Sequence, residues 1–127
     1  MAGREVFEYA LVRVVPRIER GEMINAGVLV YCRAASFVGA RVHLDEARLR
    51  CLDAGVDVAG VRAALRGYQD VCAGGEDAGQ AGGDDPGRRF RWLTAPRSTI
   101  VQPGPIHTGL TADPRAEVDR LLDLLVR

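Results

Sequence analysis

The sequence predicts an α+β domain built on an antiparallel sheet, and three observations carry that prediction. Up to Leu44 the chain holds three β-rich runs joined by links too short for a parallel crossover. From Asp45 onward, aspartates precede apolar residues spaced three and four apart, the pattern of capped amphipathic helices. Between the later helical patterns lies one more β-branched run, Thr99–Gln102. Together they describe a β-meander plus one later strand, with helices packed on one face, in a single domain over residues 1–127.

Phe7–Val15 opens the meander. It is rich in aromatic and β-branched residues, interrupted only by Glu8 and Arg13, and Pro16 ends it by removing a ladder donor. Arg13 requires a solvated face or a partner. After a charged link ending near Gly21, which suits a positive φ, Ile24–Tyr31 forms the second strand. Asn25 and Gly27 interrupt its apolar run and predict a bulge or a close backbone approach. Phe37–Leu44 alternates Val38, Ala40, Val42 and Leu44 with Gly39, Arg41 and His43, a half-buried outer strand that leaves one face of the sheet wet.

Asp45 caps a helix over Glu46–Ala54 that Gly55 closes, and Asp57 caps a second over Val58–Cys72. The stripe of the second is Val58, Val61, Leu65, Tyr68 and Cys72. Ala73–Gly87 has six glycines and no large apolar residue, which predicts a flexible loop. Asp85-Pro86 reads as an N-cap followed by proline at the first helical position, so a helix restarts there; a strand through Arg89–Thr94 is the competing reading. Asp113-Pro114 repeats the device before a last helix, Pro114–Val126, with Val118, Leu121, Leu122 and Leu125 as its stripe.

Composition narrows the function classes. Seventeen basic residues, all arginine, balance seventeen acidic ones, so no global charge favours nucleic acid. No apolar run reaches the length of a membrane span and no signal segment opens the chain, which together predict a cytoplasmic protein. Cys32, Cys51 and Cys72 are too widely spaced for a zinc motif and fit small buried positions, so they are expected to be structural thiols. No metal and no cofactor is expected: the glycine-rich stretch lacks the GxxxxGK[ST] pattern of a phosphate loop and carries four acids.

The densest concentration of chemistry is Ala95–Gly109. Arg97, Ser98 and Thr99 put a planar guanidinium beside two hydroxyls, a combination able to hold a phosphate or carboxylate. His107 is the one credible general base, although no GxSxG elbow or comparable cysteine setting accompanies it. Each has a plainer reading: hydroxyls bonded to local backbone, an arginine paired with an aspartate, a histidine holding a proline-rich loop. The first connection adds Arg17, Glu19, Arg20 and Glu22, flanked by Arg13 and Asn25, and matters for a site only if it lies beside Arg97 and His107.

The phrases Tyr9–Arg17, Glu19–Glu22 and Asn25–Val28, with Phe90–Pro103 and His107–Gly109, resemble an uncharacterised bacterial family of short proteins that carries a domain-of-unknown-function label. The resemblance spans nearly the whole chain except residues 73–87. It implies a cytosolic protein often encoded beside a HipA-like kinase, and hence a partner, but no reaction. Its two motifs fall on Arg13–Asn25 and Arg97–Gly109, which favours those regions facing one another.

The leading expectation is therefore a non-catalytic or accessory binding module for an anionic ligand or a kinase-like partner protein. Arg13, Arg17 and Arg97 would be the anion contacts, Ser98 and Thr99 would orient the ligand, and Asn25 would bond across the groove. The alternative is a small hydrolase or group-transfer enzyme, with His107 as general base and Glu19 or Glu22 assisting. Nucleic-acid binding, resting on arginines alone, comes third.

Overall fold

The computed structural model describes residues 3–74 and 85–127. Its sheet is organised by β1 (Glu5–Val14), which pairs antiparallel on both edges. On one side lie β2 (Ile24–Cys32) and then β3 (Phe37–Val42), the predicted meander. On the other side β4 (Val101–Pro103) pairs with Arg13 and its neighbours, and β5 (His107–Thr111) pairs with Glu5–Tyr9. The α+β class and the antiparallel sheet are as expected.

One strand was not anticipated. β5 follows two prolines and contains Gly109, features that read as loop until β1 is available to pair with it. β4 also begins later than Thr99, because Thr99 Oγ1 donates to Val101 O at 2.7 Å and Gln102 Nε2 to Thr99 O at 2.7 Å, which makes a local turn there.

The helices are α1 (Glu46–Leu52), α2 (Val58–Ala73), α3 (Pro86–Thr94) and α4 (Pro114–Leu125). All four begin at aspartates named from sequence. The Asp45, Asp57, Asp85 and Asp113 carboxylates accept from Arg48 N, Gly60 N, Arg88 N and Arg115 N respectively, each cap worth about 1 kcal/mol. The ambiguity at Arg89–Thr94 resolves as helix, with Phe90, Leu93 and Thr94 buried. Helix α1 ends earlier than expected, at Asp53 rather than through Gly55, as Asp53 Oδ1 accepts from Gly55 N. Most of the glycine-rich stretch, residues 75–84, lies outside the described residues; at its flanks, α2 runs through Ala73 and α3 starts at Pro86.

The distribution of helices differs from the expectation of one covered face. Even residues of β1 (Ala10, Val12, Val14) face one way and odd residues (Phe7, Tyr9, Leu11) the other. Val12, Val14 and Leu29 join a core with α1, α2 and α3. Phe7, Val28, Val30 and Cys32 join a second core with Val118, Leu121 and Leu122 of α4. The sheet is thus covered on both faces, and β2 carries three consecutive fully buried residues, Val28, Leu29 and Val30, as a doubly covered strand must.

The predicted irregularity in β2 is a bulge. Val12 pairs with Gly27 and Arg13 with Asn25, so Ala26 is the extra residue. Beyond it the facing of β2 inverts: Ala26 joins the first core, and Asn25 turns to α4, donating from Nδ2 to Leu125 O at 3.2 Å. Asn25 therefore satisfies an end carbonyl of α4. Gly21 takes the expected positive φ, 69°.

Of the cysteines, Cys32 and Cys72 are buried, but Cys51 is exposed on the outer side of α1, contrary to expectation. Burial pushes the Cys72 thiol up to about 12. An unfolded chain would ionise this thiol near 9, so its contribution to stability holds below pH 9 and is lost between 9 and 12. Iodoacetamide applied to the native protein at pH 8 should modify Cys51 alone, with Cys32 and Cys72 reacting only in denaturant; mass spectrometry of the intact chain reads this directly. Equal labelling of all three in the native state would contradict this packing.

Candidate functional site

The two regions singled out in sequence do meet. Val14 pairs with Val101, Arg13 with Gln102, and Val15 N donates to Ile100 O at 2.7 Å. Pro16 then releases the chain into a short 3-10 turn, Ile18–Arg20, which brings Ile18 beside residues 97–101. Between this seam and the flank of α2 formed by Gly60, Val61, Ala64 and Tyr68 runs an open groove of about 750 Å3. Its walls are mainly apolar, with Ile18, Val61, Ala64 and Ile100 prominent, and Arg97 and Ser98 stand among them.

Arg97 is held from three sides. Its Nη2 donates to Trp92 O at 2.6 Å and its Nη1 to Tyr68 Oη at 3.2 Å. The guanidinium also lies 4.6 Å from the centroid of the Trp92 ring and 5.9 Å from that of Tyr68. Tyr68 is buried on α2, and burial raises its phenol pKa against the opposing pull of Arg97. So this guanidinium ties the C-terminal end of α3 to the middle of α2, and spends two of its five N–H donors doing so.

The remaining predicted residues separate. Arg17 is exposed, bonded through Nε to Glu19 Oε1 at 2.8 Å, and Arg20 bonds Glu22 in the same way. Glu19 is held below the usual carboxylate range by a backbone hydrogen bond and then by Arg17; Glu22 is lowered by the hydrogen bond from Arg20. Ser98 and Thr99 are exposed at the groove, Thr99 committed to its turn. Arg13 and Asn25 lie on the opposite, α4 side of the sheet. There the Arg13 guanidinium lies so close to Gly104 that a Cβ at that position would meet its Cζ at 2.9 Å, while its Nε is buried without a partner.

His107 is also on the α4 side. It pairs with Tyr9 in the sheet and its exposed ring tilts over the Tyr9 ring at 5.3 Å. Glu19 and Glu22 lie beyond the far end of β1, roughly 17 Å along the strand from Tyr9. The structure does not bring His107 together with these carboxylates or with Arg97. Among the described residues no cluster of three or more histidine, cysteine or acidic side chains could hold a metal ion, and no helix is long and apolar enough to cross a membrane.

Sequence reasoning found Arg97 and Ser98 but missed what surrounds them. Tyr68 was legible only as a core residue and Trp92 only as a neighbour of the α3 stripe; their common role is to stack on one arginine. Ile18 and Ile100, 47% and 44% exposed, had no detectable reason to be near each other until β1 and β4 paired.

Because Arg97 joins two helices by charged hydrogen bonds and stacking, Arg97→Ala should destabilise the fold by about 2 kcal/mol in urea unfolding. Arg97→Lys should recover less than half of that, since an ammonium cannot reach both acceptors while lying flat on an indole.

Comparison with known proteins places this chain by family. Neither the curated proteins nor the solved structures include a match to it. A family model described as protein of unknown function (DUF3037) matches residues 9–126, from the middle of β1 to the end of α4. This chain belongs to the DUF3037 family.

Proposed function

We propose that this chain is a non-catalytic binding module of the bacterial cytoplasm, and that the groove beside Arg97 takes a ligand with an apolar body and an anionic head. The observation that carries the reading is the state of Arg97: fixed in position by Trp92 and Tyr68 at the groove, with N–H donors left over. A guanidinium immobilised before binding loses little entropy on meeting a carboxylate or phosphate. Ser98 adds a hydroxyl, while Ile18, Ala64 and Ile100 offer the apolar contact that a purely ionic site would lack; Arg17 stays paired with Glu19. In this reading Arg13 and Asn25 serve the fold rather than the ligand.

The hydrolytic alternative, with His107 as base, has less to support it, because no nucleophile or orienting carboxylate accompanies that ring among the described residues. A partner protein, such as the HipA-like kinase implied by the family resemblance, is a further proposal; an anionic side chain or chain terminus of that partner would be the natural occupant of the groove.

Octanoate and 1-octanol separate the head from the tail of such a ligand. Millimolar octanoate should raise the thermal midpoint by a few degrees through binding to the folded state, and octanol should not. Ala64→Phe, which puts a ring into the groove from an exposed position on α2, should abolish the shift while leaving the unliganded midpoint nearly unchanged. An equal response to octanol, or an undiminished shift in Ala64→Phe, would overturn the proposal.

A further inference from the structure

A second groove lies at the other end of the sheet, where α3 stops short of β5. Its floor is built from transverse rows. Leu110 pairs with Val6 in one; in the next, Thr108 pairs with Glu8, which in turn pairs with Tyr31. Alongside stand Arg88, Arg91 and Trp92 of α3, with Arg33 just past the end of β2, enclosing about 900 Å3. Val6 and Leu110 are 61% and 58% exposed, and Trp92 50%. Three guanidiniums face two carboxylates, both already engaged: Glu8 accepts two bonds from Arg91 Nη2, at 2.8 and 2.9 Å, and Asp85 caps α3.

The backbone of β5 adds an independent feature. β1 turns the N–H and C=O groups of its odd residues toward β4 and β5: Leu11 O accepts from Gly104 N at 2.7 Å, and Val15 N donates to Ile100 O. Tyr9 and Phe7 follow the same alternation, so their partners His107 and Gly109 spend their backbone groups on β1. Thr108 and Leu110 then direct theirs outward, along an edge that no strand covers among the described residues. Thr108 lines the groove, and Leu110, paired with Val6, stands on the same face at its rim. Unprotected edges of this kind, next to exposed apolar side chains, are avoided unless something pairs with them.

We propose that β5 is a strand-addition site for an extended segment of a partner protein, one whose groove-facing side chains are apolar opposite Leu110 and acidic toward Arg33 and Arg88. Strand addition accounts for the open edge, the exposed Val6–Leu110 pair and the arginines together. A second copy of this chain fits less well: His107–Thr111 contains no acid, so pairing β5 with itself would bring none to Arg33, while Arg91 and Arg88 keep only Glu8 and Asp85.

The test is a nitrogen-15 titration with the acetylated, amidated peptide Thr-Val-Thr-Glu-Thr-Glu-Thr-Val, and with its counterpart carrying lysine for glutamate. The acidic peptide should shift the Thr108 and Leu110 amides and slow their exchange with solvent; the lysine peptide should bind at least tenfold more weakly. Arg33→Glu with Arg88→Glu should cost tenfold or more. Leu110→Pro removes an outward donor and should do the same; because that change acts on the strand itself, N-methylation of alternate peptide bonds gives a second measure, with only one of the two methylation registers still binding. No binding, equal binding of the lysine peptide, shifts confined to the arginines and Trp92, or a dimer in sedimentation with β5 at its seam would each overturn the proposal.

Discussion

Everything in this fold depends on β1 being satisfied in four directions. Its even backbone groups bond β2 and its odd ones bond β4 and β5; its even side chains pack under α2 and α3 and its odd ones under α4. Beyond its two exposed first residues, a strand in this position has no solvated face to accept a polar residue, and the exceptions show where the arrangement is under tension. Glu8 is tolerated because Arg91 reaches it. Arg13 is tolerated because Gly104 leaves room for its guanidinium, although one buried N–H goes unanswered.

That central strand also explains why the two grooves are separate. Coverage by α2 and α3 leaves both ends of the same sheet face open: one end by the Ile18 turn, where Arg97 stands, and the other over β5, where Arg33 and Arg88 stand. Helix α3 lines the second groove, and its Trp92 also stacks on Arg97, which stands in the first. Arg89, whose Nη1 donates to Cys72 O at 2.8 Å, fixes α3 to the C-terminal end of α2 and limits how far it can move.

Local signals in the sequence carried far into this structure, and their limits are physical. Four aspartate caps, two of them followed by proline, marked the start of each α-helix among the described residues because capping is decided within four residues. The meander was legible because its links are short. β5 was not, since His107–Thr111 has no alternation of its own and becomes a strand only through Phe7 and Tyr9, far away in sequence. The covering of the second face was hidden for a similar reason: the stripe of α4 says that it packs, and nothing in it says against which side. At the site, Arg97 and Ser98 stood out by residue type, whereas the separation of His107 from them follows from its pairing with Tyr9, which shows only once the strands are in register.

Amide hydrogen exchange, read residue by residue, tests the central place of β1 most directly. Odd and even amides of β1 from Phe7 to Val14, Leu11 apart, should exchange equally slowly, near the limit set by global unfolding, while β5 alternates, with His107 and Gly109 protected and Thr108 and Leu110 fast. Rapid exchange at the odd residues of β1 would mean that β4 and β5 do not pair with it, and uniform protection along β5 would mean that its outer edge is already covered. Either result would contradict a sheet in which β1 is bonded on both sides and β5 keeps an open edge.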